Sequence, residues 1–290
     1  MPQAYVLGSP IAHSLSPVLH RAAYAALGLT DWSYAARRVD TAGFRDFVAG
    51  CGPQVRGLSL TMPLKEVAFT LADPISSRAR QAGAINTLVR LPSGGWRGEN
   101  TDIAGIIAAL GGAQAAGSGE LGGGLILGAG ATARSALMAL SELGCTQVTV
   151  CARDPEKAGR SLAALAIALD VSLTVRSLAR WPQVIAPRSL STLGMSSTLA
   201  ISTLPPPGAH EAAVTLTAGS TDLSGVCLLD VVYAHWPTPL AQAAAAHGAS
   251  VVSGLDMLVH QAVEQVELMT GRRPDWRVLL TAGHAALAAG

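Results

Sequence analysis

The segment Leu125-Ile126-Leu127-Gly128-Ala129-Gly130-Ala131-Thr132-Ala133 constrains this chain more than any other. A short apolar run enters Gly-x-Gly-x-x-Ala, and a helical pattern follows from Ala131 to Leu143. Each small residue has a physical reason to be there. Gly128 permits a tight turn, Gly130 lets the backbone approach a ligand without a Cβ in the way, and Ala133 allows helix and strand to pack closely. A helix N-terminus adds free N–H groups and the positive end of the helix dipole. The pattern predicts a dinucleotide pyrophosphate site built from Gly128, Ala129, Gly130, Ala131, Thr132 and Ala133. A merely tight βα turn is the competing reading in a chain rich in alanine and glycine. The strand before and the helix after are the context that favours the site.

The rest of the chain has the rhythm such a site requires. Gln147 to Cys151, Leu199 to Ser202, Val226 to Val232 and Ser250 to Val252 read as apolar strands separated by helical stretches, which implies βαβ units and a parallel sheet. An earlier series precedes it: strands over Gln3 to Gly8, Ser33 to Val39 and Gly57 to Met62, and a hairpin of Ile85 to Leu91 with Gly95 to Gly98. A helix is expected over Pro17 to Leu27, with Ser16 as N-cap and Pro17 at the first helical position. Gly111 to Gly124 reads as an exposed connection, and the last 35 residues as helical. A length of 290 residues exceeds what one core usually serves. The fold class expected is therefore α/β in two domains: an N-terminal substrate domain over 1–104, rejoined by 255–290, and a Rossmann-type, doubly wound dinucleotide domain over 105–254.

Composition removes several function classes. Net charge is +1 with no long run of one sign, so no nucleic-acid or membrane surface is expected. No apolar run is long enough to span a bilayer, and the N-terminal residues lack a signal pattern. Cys51, Cys145, Cys151 and Cys227 have neither C-x-x-C nor zinc spacing, so no metal site is expected; they read as core residues of a reducing, cytoplasmic protein. Of the 20 basic residues only Lys65 and Lys157 are lysine. Lysine, unlike arginine, can move a proton in a protein.

Three motifs in the first hundred residues carry polar side chains at strand ends. Gly8 to Pro17 places Ser14 and Ser16 where a strand meets a helix, either as turn and cap residues or as donors to a carboxylate. Leu60-Thr61-Met62-Pro63-Leu64-Lys65 puts a lysine just past a strand. Gly98-Glu99-Asn100-Thr101-Asp102-Ile103-Ala104-Gly105 puts Asp102 at a helix start, where it either caps the helix or does chemistry. Reducing a ketone needs a hydride donor and a group that stabilises and protonates the developing alkoxide. A lysine oriented by a carboxylate can be that group, so Lys65 with Asp102 is the candidate catalytic pair.

The tip after the strand ending at Cys151 faces the adenosine ribose in dinucleotide folds. Asp154 there favours the free 2′-hydroxyl of NAD and Arg153 the 2′-phosphate of NADP, so the residues alone leave both cofactors open. Lys157 is either a second phosphate contact or a solvated helix-start lysine.

Taken in order, these motifs resemble shikimate dehydrogenases over nearly the whole chain. The resemblance rests on Gly8 to Pro17, Thr61 to Lys65, Gly83 to Thr87, Asn100 to Gly105, Asp230 to Tyr233, Thr238 to Leu240 and Gly254 to Ala262. It implies reversible NADPH-dependent reduction of 3-dehydroshikimate to shikimate in aromatic amino acid biosynthesis. It assigns Lys65 and Asp102 to catalysis, and Ser14 and Ser16 to the substrate carboxylate. Thr61, Asn86 and Gln261 would meet ring hydroxyls, and Tyr233 would line the same site. Gly254 and Met257 would lie near the nicotinamide, and Arg153 would clamp the 2′-phosphate. The chain departs from the family pattern at Ser59, where asparagine is frequent, and at Asp154, which adds a negative charge beside the expected phosphate. Two rivals follow: an NAD-preferring quinate/shikimate or aminoshikimate dehydrogenase, and a non-catalytic ligand-sensing module of the same fold. Monomer and homodimer are both compatible with the sequence.

Overall fold

The computed structural model describes residues 1–114, 121–185 and 197–289. The chain divides into two units, Met1–Gly105 with Leu258–Gly290, and Ile106–Met257.

The first unit opens with β1 (Gln3–Gly8), α1 (Ser16–Ala26), β2 (Ser33–Arg38), α2 (Phe44–Ala49) and β3 (Val55–Leu60). It continues with α3 (Ser77–Ala82), β4 (Thr87–Arg90), β5 (Trp96–Glu99) and the start of α4 (Asp102–Gln114). Its sheet runs β2-β1-β3-β4-β5. The first three strands are parallel, and β4 and β5 form an antiparallel hairpin beside β3. This geometry gathers the motif-bearing segments. The C-terminal ends of β1, β3 and β5 and the N-terminal start of β4 share one edge of the sheet. Leu7, Phe44, Leu58, Leu64, Ile85 and Leu88 are among the buried residues that anchor it.

α1 begins differently from the sequence expectation. Leu15 occupies the N-cap and Ser16 is already helical, with no side-chain cap. Pro17 sits in the first turn, where its missing N–H costs nothing. Ser14, one residue ahead of that position, accepts the Ser16 N–H at its Oγ at 3.3 Å.

The second unit alternates strand and helix through β6 (Leu121–Leu127), α5 (Ala131–Glu142), β7 (Gln147–Ala152), α6 (Pro155–Ala168) and β8 (Ser172–Ser177). After α7 (Trp181–Ile185) come β9 (Ser197–Ser202), α8 (Pro206–Thr217), β10 (Val226–Asp230), α9 (Pro239–Ala246) and β11 (Ser250–Ser253). All six strands are parallel, in the order β11-β10-β9-β6-β7-β8. This is the doubly wound Rossmann arrangement, and its strand order reverses between β6 and β9, where such sheets bind ligands. The core behind it includes Leu125, Leu127, Ala200, Leu228 and Trp181, whose indole N–H donates to the Ala212 carbonyl at 3.0 Å.

Two helices close the chain, α10 (Gly254–Thr270) and α11 (Trp276–Ala289). The expected connection over 111–124 is shorter than the sequence suggested. Residues 111–114 finish α4 and 121–124 open β6, while 115–120 lie outside the described residues. Among the described residues no helix is long and apolar enough to cross a membrane, and no cluster of His, Cys, Asp and Glu suits a metal ion. The four cysteines are unpaired; burial pushes the Cys145 thiol up to about 11 and that of Cys151 to about 12.

Candidate active site

The first unit ties the motif segments together through the backbone. The Thr61 N–H donates to the Leu7 carbonyl at 2.9 Å, and the Ser9 N–H to the Met62 carbonyl at 3.0 Å. The approach is so close that a Cβ on Gly8 would lie 2.4 Å from the Thr61 methyl, so only glycine fits there. The Ile85 N–H donates to the Lys65 carbonyl at 2.8 Å, and the Asn86 N–H to Glu99 at 3.0 Å.

On this frame Lys65 Nζ donates to Asp102 Oδ2 at 2.5 Å. The Asp102 side chain is 2% exposed and that of Lys65 14%. A carboxylate so deeply buried is tolerable only when paired and hydrogen-bonded. Its second oxygen is supplied accordingly: Asn86 Nδ2 donates to Asp102 Oδ1 at 2.8 Å. Asp102 therefore does not cap α4. Its own N–H donates to the Asn100 side chain at 3.1 Å, which leaves both carboxylate oxygens for the site.

Asn86 is fixed from both ends. Its Oδ1 accepts from the Thr101 N–H and the Thr87 hydroxyl, each at 2.8 Å. Its Nδ2 also reaches Thr101 Oγ1 at 2.9 Å and Gln261 Oε1 at 3.2 Å. The amide orientation follows, because reversing it would set Nδ2 against the Thr101 N–H and Oδ1 against the Asp102 carboxylate. Lys65, Asp102, Asn86 and Gln261 thus meet in one cluster. Ser14 and Ser16 sit at the β1–α1 junction and Thr61 just past β3, on the same sheet edge. Thr87, Thr101, Ser59, Tyr34 and Gln265 support the cluster and were not singled out as site residues in the sequence. Gln265 had a signal: it lies four residues after Gln261 on a helix, hence on the same face.

The second unit presents a different surface. Gly128 has φ +110°, and a Cβ there would lie 2.4 Å from Thr203 Oγ1 at the head of the loop after β9. Gly130 is the N-cap of α5, with open space where its Cβ would be and no side chain capping the helix. The helix N-terminus between β6 and β9 is therefore open to an anion. Ala129, Ala131 and Thr132 are half-buried around it, and Ala133 is fully buried. A nicotinamide dinucleotide fits this cradle on those observations.

At the neighbouring β7 tip, Arg153, Asp154 and Lys157 are all exposed. Asp154 is engaged: it N-caps α6, accepting the Lys157 N–H at 3.0 Å. Tyr233 lies between β10 and α9, half-buried. Gly254 opens α10 so near the β10 exit that a Cβ would lie 2.3 Å from the Val231 carbonyl oxygen. Met257 is buried in the first turn of that helix. The nearby Asp230 carboxyl is pushed up by burial and held by the Thr238 hydroxyl at 2.7 Å, so it shapes the turn that Gly254 packs on.

The fold and this site define a two-unit α/β protein with a lysine–carboxylate pair on one unit and a Rossmann phosphate turn on the other. Known proteins narrow the class. Residues 6–88 match the shikimate dehydrogenase substrate binding domain, and residues 254–278 the shikimate 5'-dehydrogenase C-terminal domain. A shikimate dehydrogenase (NADP(+)) of Methylobacterium radiotolerans is 39% identical over 94% of this chain and 93% of its own. The crystal structure of Mycobacterium tuberculosis shikimate dehydrogenase is 41% identical with a TM-score of 0.82, covering 99% of this chain and 100% of that one. The Thermus thermophilus enzyme, solved in complex with NADP(H) and shikimate, is 30% identical with a TM-score of 0.78, over 99% and 100%. The chain belongs to the shikimate dehydrogenase family.

Proposed function

We propose that this chain catalyses the reversible, NADP-dependent interconversion of 3-dehydroshikimate and shikimate. The observation that carries the reading is the Lys65–Asp102 pair, held at 2.5 Å and oriented by Asn86. Bound NADPH supplies the hydride that reaches the ketone carbon. The chain supplies the rest. Lys65 Nζ donates to the carbonyl oxygen, stabilises the negative charge that develops there and delivers the proton that completes the alcohol. Asp102 keeps the ammonium aimed and compensates its charge. Asn86, Gln261 and Thr61 fix the ring hydroxyls, and Ser14 and Ser16 the carboxylate, so that the ring has a single productive orientation. Tyr233 is assigned to the substrate, and Gly254 and Met257 to the nicotinamide.

NADP is favoured over NAD by the occupied state of Asp154. A carboxylate already capping α6 is drawn away from a ribose hydroxyl, while Arg153 stays exposed beside it. The Gly128–Ala133 turn would hold the pyrophosphate, with Lys157 close to the same tip. The unpaired cysteines fit a cytoplasmic enzyme of aromatic amino acid biosynthesis.

The test is steady-state oxidation of shikimate by the purified protein with NADP⁺ and NAD⁺ side by side, followed by nicotinamide absorbance. Preference for NADP⁺ is expected, and Arg153→Gln should reduce that preference by roughly tenfold, as the loss of one charge-assisted phosphate contact implies. Turnover favouring NAD⁺ would move the assignment to a quinate/shikimate-type dehydrogenase. A folded protein inert with both would refute the activity.

A further inference from the structure

Behind the catalytic cluster runs a buried chain of hydrogen bonds in which each donor points towards Asp102. The Tyr34 hydroxyl donates to Ser59 Oγ at 2.7 Å, and Ser59 donates to Gln265 Oε1 at 2.8 Å. Gln265 Nε2 donates to Thr87 Oγ1 at 3.1 Å, and Thr87 donates to Asn86 Oδ1 at 2.8 Å. Asn86 Nδ2 then donates to the carboxylate at 2.8 Å. Tyr34, Ser59, Gln265, Thr87, Asn86 and Asp102 are all buried.

We infer that Gln265 is a positioning residue for catalysis, which fixes the Asn86 amide and through it the Asp102–Lys65 pair. The reason lies in the two ends of its side chain. Gln265 is the member that bridges helix α10 to the sheet, and its amide sets the direction of the whole chain. With Oε1 towards Ser59 and Nε2 towards Thr87, the Thr87 proton must go to Asn86 Oδ1. Reversed, Gln265 would take the Thr87 proton itself. Asn86 Oδ1 would lose its Thr87 donor and keep only those of Thr101, and the Ser59 proton would lose Gln265 Oε1 as its acceptor. Aligned bonds in a low-dielectric interior strengthen one another, so the effect reaches the carboxylate although Gln265 does not touch it. Ser59, the departure from the family pattern in the lysine motif, is the partner that holds Gln265 in this orientation.

The inference rests on the activity proposed above, and wild-type turnover of shikimate tests that activity by itself. Gln265 is tested by a cycle of Gln265→Met and Asn86→Ala, measuring kcat and KM for shikimate and for NADP⁺. Gln265→Met, similar in volume but unable to bridge, should lower kcat about tenfold, the loss expected for one buried hydrogen-bonded link. KM for NADP⁺ should stay within about twofold of wild type, since the cofactor turn is elsewhere in the chain. In the Asn86→Ala background the same change should cost nothing further. Unchanged kcat in folded Gln265→Met, or an equal loss with Asn86 already absent, would overturn the inference. Should Gln265→Met not fold, Ser59→Ala replaces it in the cycle. That variant frees Gln265 to reverse and should lower kcat about threefold, again only when Asn86 is present. An equal loss in both backgrounds, or none in either, would overturn it as well.

Discussion

The two units solve opposite problems with opposite materials. The catalytic cluster of the first unit is made of side chains, buried and bonded to one another, with Asp102 only 1% exposed overall. The phosphate turn of the second is made of backbone, with open space at Gly130 and exposed charges at Arg153 and Lys157. Chemistry on a ketone needs a charge held in one place before substrate arrives, so the protein surrounds it with fixed dipoles. A diphosphate brings its own charge, so the protein offers free N–H groups and leaves room. Substitutions in the first unit should therefore act through orientation, and those at the second unit's tip through occupancy and local capping.

The largest effect expected is from Lys65→Ala. It removes the proton donor and leaves Asp102 with only its Asn86 bond, so turnover should fall by a factor of roughly 100 or more. The substituted protein should still fold, because the hydrophobic core around Leu64 and Ile85 is untouched, but with a stability lowered by roughly 3 kcal/mol by the unpaired Asp102 carboxylate. Circular dichroism and the shikimate assay on the same sample check both statements. Near-normal turnover in the folded variant would remove the chemical distinction between the units.

Acid sensitivity should also localise to the first unit. His20 is fully buried, stacked on Tyr34 at 3.8 Å between ring centroids, and its Nε2 has no partner among the described residues. Burial pushes its imidazole pKa down to about 3. The folded state thus holds His20 neutral while the unfolded chain protonates it near 6.5. Stability is full above that value and is lost as pH falls towards about 3. Between pH 7 and pH 5 this one group should remove about 2 kcal/mol. His20→Gln cannot ionise, so its urea-unfolding free energy should decline less than the wild type's by that amount. Equal declines would show that His20 is not the group responsible.

Much of this contrast was legible in the sequence, and unevenly so. The strand–glycine–helix run at Leu125 to Ala133 announced its turn because backbone sites are written in glycines and short spacings. Lys65 and Asp102 stood out because lysine is rare here and because each ends a strand-like run. What the residues could not reveal was the convergence between them. Asn86, Thr87, Thr101 and Gln265 meet only because β4 runs antiparallel beside β3 and a helix from the chain's end crosses back over the sheet. Local reasoning also misplaced one cap. Ser16 looked like an N-cap, yet Leu15 holds that position, while Asp102, left open between cap and chemistry, has its carboxylate on Lys65 and Asn86. At Asp102 the tertiary partners outweigh the local preference of a short polar residue for its own backbone.

The smallest effect expected is at Asp154, and it separates the two roles a carboxylate can have at the cofactor tip. If the side chain is a helix cap, Asp154→Ala should lose about 1 kcal/mol of stability, read as a lower urea midpoint. Asp154→Ser should recover most of it, since a serine hydroxyl can accept the Lys157 N–H just as the carboxylate does at 3.0 Å. Neither variant should change the ratio of NADP⁺ to NAD⁺ turnover by more than about twofold, because the charge that selects the 2′-phosphate is that of Arg153. A strong swing towards NADP⁺ in Asp154→Ala, matched in Asp154→Ser, would mean that the carboxylate leaves its cap to oppose the phosphate. The second unit would then also work through a side chain that chooses between partners, as Gln265 does in the first.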